Sequence, residues 1–250
     1  MKFDDLDKRL RVYETAHDFC VPPNTYIVAR IDGRGFTRLT KELHNFKRPF
    51  DPVFRDHMIE TTKHLMTCGF QVIYGYTESD EISLLFDLNE TTFGRKTRKF
   101  NSILAGEASA KFSLELGALG AFDCRISQLP RKLDVIDYFR WRNEDAHRNA
   151  LNAHCYWKLR QEGHTKTSAT EYINGKSIAF KNELLFKRGI NFNAVPAWQK
   201  RGIGIYWKET EKEGWNPVAN KTEKAKRRTL HIDLELPMGQ AYSNFVANFL

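Results

Sequence analysis

Apolar and polar positions in the first half of the chain follow patterns that predict four short strands and two longer helices. Runs rich in β-branched and aromatic residues predict buried strands at 26–31, 70–76, 82–86 and 122–126. Apolar residues at helical spacing predict a helix over 96–116, and a second helix is expected from 51 or 52 to 68, between Pro52 and Gly69. The connection 77–80 makes the second and third strands a hairpin.

The order strand, helix, strand, strand, helix, strand is that of the ferredoxin-like βαββαβ arrangement. It predicts an α+β fold in which an antiparallel sheet carries both helices on one face. A further helix at 3–18 is expected to precede the sheet.

The second half of the chain predicts an α-rich extension with added strands. A long helix is expected over 134–161 and a shorter one over 179–186. Strands are expected at 203–207 and 229–236, with a charged excursion, 208–228, between them. We therefore expect a catalytic core with its N-terminal helix at 1–130, and an extension at 131–250 packed with the core as one unit.

Composition narrows the class of protein. The 250 residues are 41% hydrophobic and include 18 Phe, 9 Tyr and 5 Trp, which excludes a disordered or collagen-like chain and indicates a soluble globular protein. The first residues are charged where a signal peptide is apolar, and no apolar run is long enough to span a bilayer, so a cytoplasmic location is expected. The formal net charge of +8 is only a weak indication of a polyanionic partner.

Two carboxylates stand where the predicted sheet brings strand ends together. Asp32 ends the first strand and Asp80 lies in the hairpin. With the carbonyl of Gly33 they are hard oxygen ligands suited to Mg²⁺, and a two-ion site of this kind supports phosphoryl transfer. Since Glu81 would point to the opposite face of a strand, we expect Asp80 to bind the metal and Glu81 to have another role. Each motif taken alone is more often a polar turn.

The glycine-rich stretch after the first strand is a candidate phosphate-binding loop. Its amides could wrap nucleotide phosphates, although its spacing is neither that of a P-loop nor that of a dinucleotide fingerprint. The loop comprises Gly33, Arg34, Gly35, Phe36 and Thr37. Phe36 either stacks on a base or belongs to the core, and its residue type favours the core.

Several longer motifs resemble the tRNA-histidine guanylyltransferase superfamily, in order along most of the chain from about 27 to 207. They are Arg-Ile-Asp-Gly-Arg-Gly-Phe at 30–36, His-Asn-Phe at 44–46 followed by a basic residue and Pro49, Ser-Asp-Glu at 79–81, Tyr-Phe-Arg-Trp-Arg at 138–142, the region of His147, Lys-Asn-Glu-Leu-Leu-Phe at 181–186 and Ile-Asn-Phe-Asn at 190–193. The resemblance implies a polymerase-like palm and a tRNA nucleotidyltransferase that extends the 5′ end in the 3′-to-5′ direction. ATP first activates the 5′-monophosphate, and the 3′-hydroxyl of GTP or another nucleoside triphosphate then attacks the activated end. The family also implies a homotetramer.

The same resemblance assigns roles to residues of this chain. It implies that Asp32 and Asp80 are catalytic and bind two Mg²⁺ ions together with the Gly33 carbonyl. Nucleotide contacts are expected from the stretch 32–37 and from Ser79, Asp80, His147, Asn149, Lys181 and Asn191. Arg48 replaces the family's Lys at a tRNA 5′-end or phosphate contact, keeping the charge with a different shape.

One departure from the family pattern concerns the long helix. The guanylyltransferases proper carry His-Ile-Asn-Asn there, whereas this chain has His147, Arg148, Asn149 and Ala150. The pattern resembles the family's tRNA-repair branch. We therefore expect template-dependent repair of truncated 5′ ends, with guanylyl addition to tRNA-histidine retained as one activity. Without the resemblance, His147 is as well explained as a surface or core histidine.

Two basic clusters are the expected tRNA contacts. The first consists of Arg95, Lys96, Arg98 and Lys99, and the second includes Lys224, Lys226, Arg227 and Arg228. Each cluster taken alone is more often a solvated surface. Phosphate contacts would weaken steeply with salt.

Two other functions fit parts of the pattern. A nucleotidyl cyclase shares the palm-like sheet and two acidic metal ligands but needs no RNA, and the long basic helices argue against it. A non-catalytic RNA-binding sheet needs exposed aromatics on its central strands and an RNP-type signature, which the sequence lacks.

Overall fold

A six-stranded antiparallel sheet forms the centre of the fold. This computed structural model describes residues 2–216 and 221–250, apart from the side chains of 212–214, 216 and 223–225. The strands are β1 (Tyr26–Arg34), β2 (Val72–Glu78), β3 (Glu81–Phe86), β4 (Ala121–Leu129), β5 (Ile203–Asn216) and β6 (Lys221–Asp233), in the spatial order β4-β1-β3-β2-β5-β6. The first four strands have the order and antiparallel pairing of a ferredoxin-like sheet, which confirms the predicted fold class.

Helices precede, connect and follow the strands. They are α1 (Phe3–Thr15), α2 (Phe36–Arg38), α3 (Pro52–Leu65), α4 (Thr97–Leu116), α5 (Lys132–Gln161), α6 (Lys166–Ile173), α7 (Ile178–Phe186), α8 (Ala197–Arg201) and α9 (Gly239–Ala247). A π-helical turn spans Leu39–Leu43, and 3₁₀ turns span Thr92–Arg95 and Phe192–Ala194. Within the described part of the chain, no helix combines the length and apolar character needed to cross a membrane.

Helices α3 and α4 cover one face of the sheet, as the strand and helix order predicts. α3 begins at Pro52, and the preceding Asp51 side chain accepts hydrogen bonds from the backbone N–H groups of Val53 and Phe54. The apolar side chains between these helices and the sheet are almost fully buried, and they include Ile31, Ile82, Leu84, Leu65, Phe100, Leu104 and Phe112. This packing fixes the position of β1 and β3, which carry the candidate site at one end.

The C-terminal extension covers the other face of the sheet. Phe139 of α5 and Tyr242 of α9 pack there around Tyr74, which is fully buried in β2. The hydroxyl oxygens of Tyr74 and Tyr242 lie 2.9 Å apart. The later half of α5 packs instead against α6, α7 and Phe192. This helix therefore runs from the back of the sheet to a separate helical layer. The sequence pattern did not indicate α6, α8 or α9.

The described part of the charged excursion between the last two predicted strands, 208–216 and 221–228, is itself β-structure. β5 pairs with β2 only over its first residues, as far as Tyr206, and beyond that point it pairs with β6 alone. Glu209 lies opposite Arg228, and Glu211 lies opposite Lys226, so residues of opposite charge face each other across the hairpin. The predicted strands at 203–207 and 229–236 are therefore too short on the hairpin side, and β6 ends earlier than predicted, at Asp233.

Candidate active site

The three residues predicted to bind magnesium come together at one end of the sheet. Asp32 of β1 lies directly opposite Glu81 of β3, and Asp80 occupies the two-residue turn that precedes Glu81. The backbone N–H of Gly33 donates a 3.0 Å hydrogen bond to the Asp80 carbonyl oxygen. The turn is tight, and its first residue, Ser79, has a φ of 48°, which is uncommon for a residue other than glycine. The βαββαβ topology thus delivers both carboxylates to one place.

The electrostatics around this carboxylate pair favour a cation. Burial raises the pKa of Asp80, and the negative charge of Asp32 adds to that rise. The Ser79 hydroxyl donates to Asp80 Oδ1 at 3.1 Å, while Arg125 and Arg30 lie 3.4 and 3.6 Å from Asp32 Oδ2. The two carboxylates repel each other, so a divalent cation that both can reach would stabilise their ionised forms.

The donor set fits Mg²⁺ better than a metal enclosed by protein ligands. Among the described residues, no group of three or more His, Cys, Asp or Glu side chains is arranged to hold a metal ion. Mg²⁺ is commonly bound by one or two carboxylates while keeping water and substrate phosphate as its other ligands. A Cβ at Gly33 would lie 2.6 Å from the Phe36 ring, so the backbone can take this position only with glycine. Glycine therefore keeps this part of β1 close to Asp80, whose carbonyl oxygen accepts from the Gly33 N–H.

A buried ion-pair network lies directly behind the carboxylates. Arg142 of α5 donates two hydrogen bonds to the Glu81 carboxylate, at 2.7 and 2.9 Å, and Arg30 also pairs with Glu81. Arg142 lies in addition 3.1 Å from Glu78 and 3.3 Å from Asp145. Burial, reinforced by the charge of Glu81, raises the pKa of Glu78 to about 8. The sequence separated the roles of Asp80 and Glu81 but did not identify this network, whose only signal was Arg142 within one of the family motifs.

The glycine-rich stretch, predicted as a loop, is the end of β1 and the start of α2, joined at Gly35, which has a φ of 75°. Arg34, Gly35 and Thr37 are exposed, whereas Phe36 is only 2% exposed and packs against Phe112 and Phe122. The prediction of Phe36 as a nucleotide contact through ring stacking is therefore wrong. Its ring belongs to the core, because a large apolar side chain at this position is surrounded by α3, α4 and β4.

A cleft of about 450 Å³ opens in front of the carboxylates. Its lining also carries cations over indole rings: the guanidinium of Arg48 lies 4.6 Å from the Trp157 ring centre, and that of Arg55 lies 4.8 Å from Trp198. Lys41 lies 5.5 Å from the Trp157 ring, and burial and the Arg48 charge lower its pKa. The cleft lining therefore combines carboxylates with several cations, which suits a polyphosphate bound together with a divalent cation.

The structure places the predicted nucleotide contacts in two regions. Asp32, Thr37, Ser79, Asp80 and Asn149 line the cleft, as does Arg48, the predicted contact to the tRNA 5′ end or a phosphate. Lys181 on α7 and Asn191, whose side chain caps a 3₁₀ turn, belong instead to the helical layer. His147 lies between the two, half-buried with its ring 5.4 Å from that of Phe192, and burial with nearby Lys200 lowers its pKa.

Most cations of the first basic segment already have partners within the folded chain. Arg95 is 8% exposed, and its guanidinium donates to the carbonyl oxygens of Thr25, Leu88 and Glu90. The prediction of Arg95 as a tRNA contact is therefore wrong, because its cationic group is buried among backbone carbonyls. Lys96 pairs with Asp18 at 2.8 Å, and Arg98 pairs with the same carboxylate. The Lys99 ammonium lies 5.7 Å from the Phe93 ring.

The second basic segment is exposed on the hairpin. Lys226 lies 3.8 Å from Glu209, and the guanidinium of Arg228 lies 4.8 Å from the Trp207 ring. Arg227 is exposed opposite Thr210, on the other face of the hairpin. The side chain of Lys224 lies outside the described residues.

Comparisons with known proteins agree with the motifs. The family model described as tRNAHis guanylyltransferase matches residues 7–130, and the model described as the Thg1 C terminal domain matches residues 133–236. The tRNA(His) guanylyltransferase of Schizosaccharomyces pombe is 32% identical over 227 residues, covering 85% of this chain and 86% of that protein. Two solved structures of a bacterial tRNA(His) guanylyltransferase (Thg1)-like protein, in complex with ATP and with GTP, match 98% of this chain and 98% and 99% of theirs at 28% identity, with TM-scores of 0.77 and 0.74.

Three findings lead to one conclusion. The family models together match most of the chain, one relative is more than 30% identical over most of both sequences, and the fold is shared. The chain belongs to the tRNA(His) guanylyltransferase family and is a nucleotidyltransferase.

Proposed function

We propose that this protein adds nucleotides to the 5′ end of tRNA in the 3′-to-5′ direction, copying a template strand, and so repairs truncated 5′ ends. Guanylyl addition to tRNA-histidine is one of its activities. The observation that supports the proposal most strongly is the cleft, whose lining brings Arg48 together with Asp32 and Asp80.

The proposed reaction consists of two transfers. An oxygen of the tRNA 5′-monophosphate attacks the α-phosphorus of ATP, forming a phosphoanhydride and releasing pyrophosphate. The 3′-hydroxyl of the incoming nucleotide then loses its proton and attacks the 5′-phosphorus of the tRNA, forming a phosphodiester and releasing AMP. ATP and GTP are thus substrates, in keeping with the bacterial relatives solved with either nucleotide.

Asp32, Asp80 and the Gly33 carbonyl would hold two Mg²⁺ ions, which stabilise the negative charge that develops in phosphoryl transfer. The rest of the site is supplied by side chains that bind or position. Arg48 binds polyphosphate or the 5′-phosphate, and the exposed loop residues Arg34, Gly35 and Thr37, with Ser79, contact the triphosphate. Arg142 acts through Glu81, since their paired hydrogen bonds hold the strand that follows Asp80.

A second nucleotide site in the helical layer is part of the proposal. Lys181 and Asn191 contact that nucleotide, His147 lies beside Phe192 of the same layer, and Asn149 lines the cleft. Ala150 supports the assignment to repair, because it lines the cleft where the guanylyltransferases proper have a second Asn. An Ala there removes an amide that could select one base, and a templated enzyme needs no such selection.

The proposal extends to partners and location. The tRNA would be bound by Lys96, Arg98 and Lys99 on one side and by the hairpin residues Lys226, Arg227 and Arg228, with Lys224, on the other. We further propose a cytoplasmic homotetramer, as the resemblance implies.

The proposal is tested with a tRNA that lacks its first nucleotide, incubated with ATP, labelled nucleotides and Mg²⁺. The added base is expected to change when the opposing template base is changed, and Asp32→Ala and Asp80→Ala are each expected to abolish addition while leaving the unfolding transition in place. Addition of G whatever the template would remove the repair assignment. A cyclic nucleotide formed from ATP or GTP alone would support a cyclase instead.

A further inference from the structure

The N-terminal helix α1 presents an apolar stripe that the rest of the described chain leaves uncovered. No residue of α1 is buried, and the four apolar side chains of the stripe are between 39% and 81% exposed. These side chains are Phe3, Leu6, Leu10 and Tyr13. Their spacing of three, four and three residues is that of the a and d positions of two heptads. The apolar side chains of such a stripe become buried only when another helix or another molecular surface packs against them.

The charged side chains beside the stripe indicate which surface would cover it. With Phe3 at position a, the e positions are Asp7 and Glu14, and Arg9 is the g position within the helix; Lys2, the extended N-cap residue, precedes the helix at the earlier g position of this register. In a parallel pair of identical helices, each g residue faces the e residue of the following heptad on the partner. Lys2 would then face the second copy's Asp7, and Arg9 would face the second copy's Glu14. Both contacts join opposite charges.

An antiparallel pair would have the reverse property. Its flanking contacts run from g to g and from e to e, so Lys2 would approach Arg9, and Asp7 would approach Glu14. Like charges would meet on both sides of the stripe. The charge pattern therefore selects the parallel arrangement.

Other occupants fit this surface less well. Residues 2–15 carry four cationic side chains (Lys2, Lys8, Arg9, Arg11) and four anionic ones (Asp4, Asp5, Asp7, Glu14), so the net charge of the segment is 4 − 4 = 0. An amphipathic helix that binds anionic lipid or RNA carries an excess of Lys and Arg on its polar face. The neutral, mixed face of α1 is typical of a helix paired with another helix.

We propose that α1 pairs in parallel with α1 of a second copy of this chain, through Phe3, Leu6, Leu10 and Tyr13, with Arg9 and Glu14 forming the flanking ion pairs. Two heptads are too short to pair stably as isolated peptides. Within one helix the Asp7 carboxylate already accepts from Arg11 at 2.7 Å and retains further lone pairs for the second copy's Lys2. The contact is therefore expected to add to the assembly of the folded chain.

The test is the mass of the full chain in solution, measured by sedimentation equilibrium over a range of concentrations. Leu6→Asp with Leu10→Asp is expected to lower the assembly by one association step. Because neither side chain is buried, circular dichroism and thermal unfolding of the sheet domain should be unchanged. A monomeric wild-type chain, or a double variant with the wild-type mass, would overturn the proposal.

Charge reversal tests the direction of pairing separately. Arg9→Glu is expected to weaken the association about tenfold, since two attractive contacts become repulsive, and Arg9→Glu combined with Glu14→Arg should restore it. The matched control is Lys8→Glu, an equal charge change at an f position, which should have no effect. Stronger association of the Arg9→Glu variant would show antiparallel pairing. An α1 variant that loses binding to phosphatidylserine vesicles or to tRNA, while keeping the wild-type mass, would show that a different partner occupies the stripe. That result, like antiparallel pairing, would overturn the proposal.

Discussion

Two basic segments that are alike in sequence have different structural roles. In the first, Arg95 is buried among three carbonyl oxygens, and Lys96 and Arg98 share the carboxylate of Asp18. In the second, the cations stand on an exposed hairpin and alternate between two faces. A run of positive charge therefore does not define a nucleic-acid surface by itself. What matters is whether the fold has already provided each cation with a partner.

The largest difference between the segments is expected in stability. Arg95→Ala should lower the free energy of unfolding by about 3 kcal/mol, because three buried carbonyl groups lose a charged donor. Urea denaturation of the full chain measures this change. Lys99→Ala, four positions along and outside the carbonyl cluster, is the matched control and should change stability by less than about 0.5 kcal/mol. Unchanged stability of Arg95→Ala, with weaker tRNA binding, would mean that the two segments act alike.

The next difference is expected in tRNA binding by the hairpin. Among the described residues, no carboxylate is paired with Arg227, so Arg227→Ala should lower affinity several-fold and reduce the salt dependence by about one phosphate contact. Arg228→Ala should have a smaller effect on the salt dependence, because its guanidinium is stacked on Trp207. Fluorescence anisotropy with labelled tRNA at a series of KCl concentrations measures both. Equal slopes for the two variants and the wild type would remove the hairpin from the tRNA surface.

A smaller effect should follow from releasing the cations of the first segment. Asp18→Asn leaves Lys96 and Arg98 without their shared carboxylate, and tRNA affinity at low salt should rise about twofold to threefold. Hydrogen bonds from Arg98 and Lys96 lower the pKa of Asp18, so this group stays ionised well below its usual range. The difference between variant and wild type should therefore persist from pH 8 down to pH 5. A variant that binds more weakly than the wild type would show that Asp18 orients these cations toward the tRNA.

The smallest effect is expected at the hairpin pair of Lys226 and Glu209. Both side chains are more than 70% exposed and 3.8 Å apart, so their attraction is weak. Glu209→Gln should raise tRNA affinity by less than about twofold in the same anisotropy assay. A change as large as that of Arg227→Ala would mean that cross-strand pairing controls the hairpin charges.

The core of the fold could be predicted because its pattern is local. The buried strand that carries Asp32, the hairpin at Asp80 and the helix initiated by Asp51 each follow from a few neighbouring residues. The charged hairpin could not be predicted in this way, since both its faces are solvated and no apolar alternation marks it. Its order depends on pairs such as Glu209 with Arg228, which are nineteen positions apart and are visible only once the register is known.

The candidate site shows the same division. The sequence could predict that Asp32 and Asp80 lie close together, because the strand order places the segments that carry them at the same end of the sheet. The burial of Arg95 and the enclosure of the Phe36 ring were not, since both depend on elements packed from distant parts of the chain. Arg142 is a further case, because its partners Glu78 and Glu81 lie more than sixty positions away.

The hairpin also sets a length scale for contact with a substrate. Ten residues of β5, 207–216, continue past Tyr206, the last residue that pairs with β2, and at about 3.3 Å per residue they span roughly 33 Å. That reach is similar to the diameter of a small domain. In the proposed binding of tRNA, a cation at the outer part of this arm would contact the RNA far from the reacting phosphate. Deleting matched pairs of residues from β5 and β6 would shorten the arm and so measure how far the proposed tRNA contact on the hairpin must lie from the carboxylates.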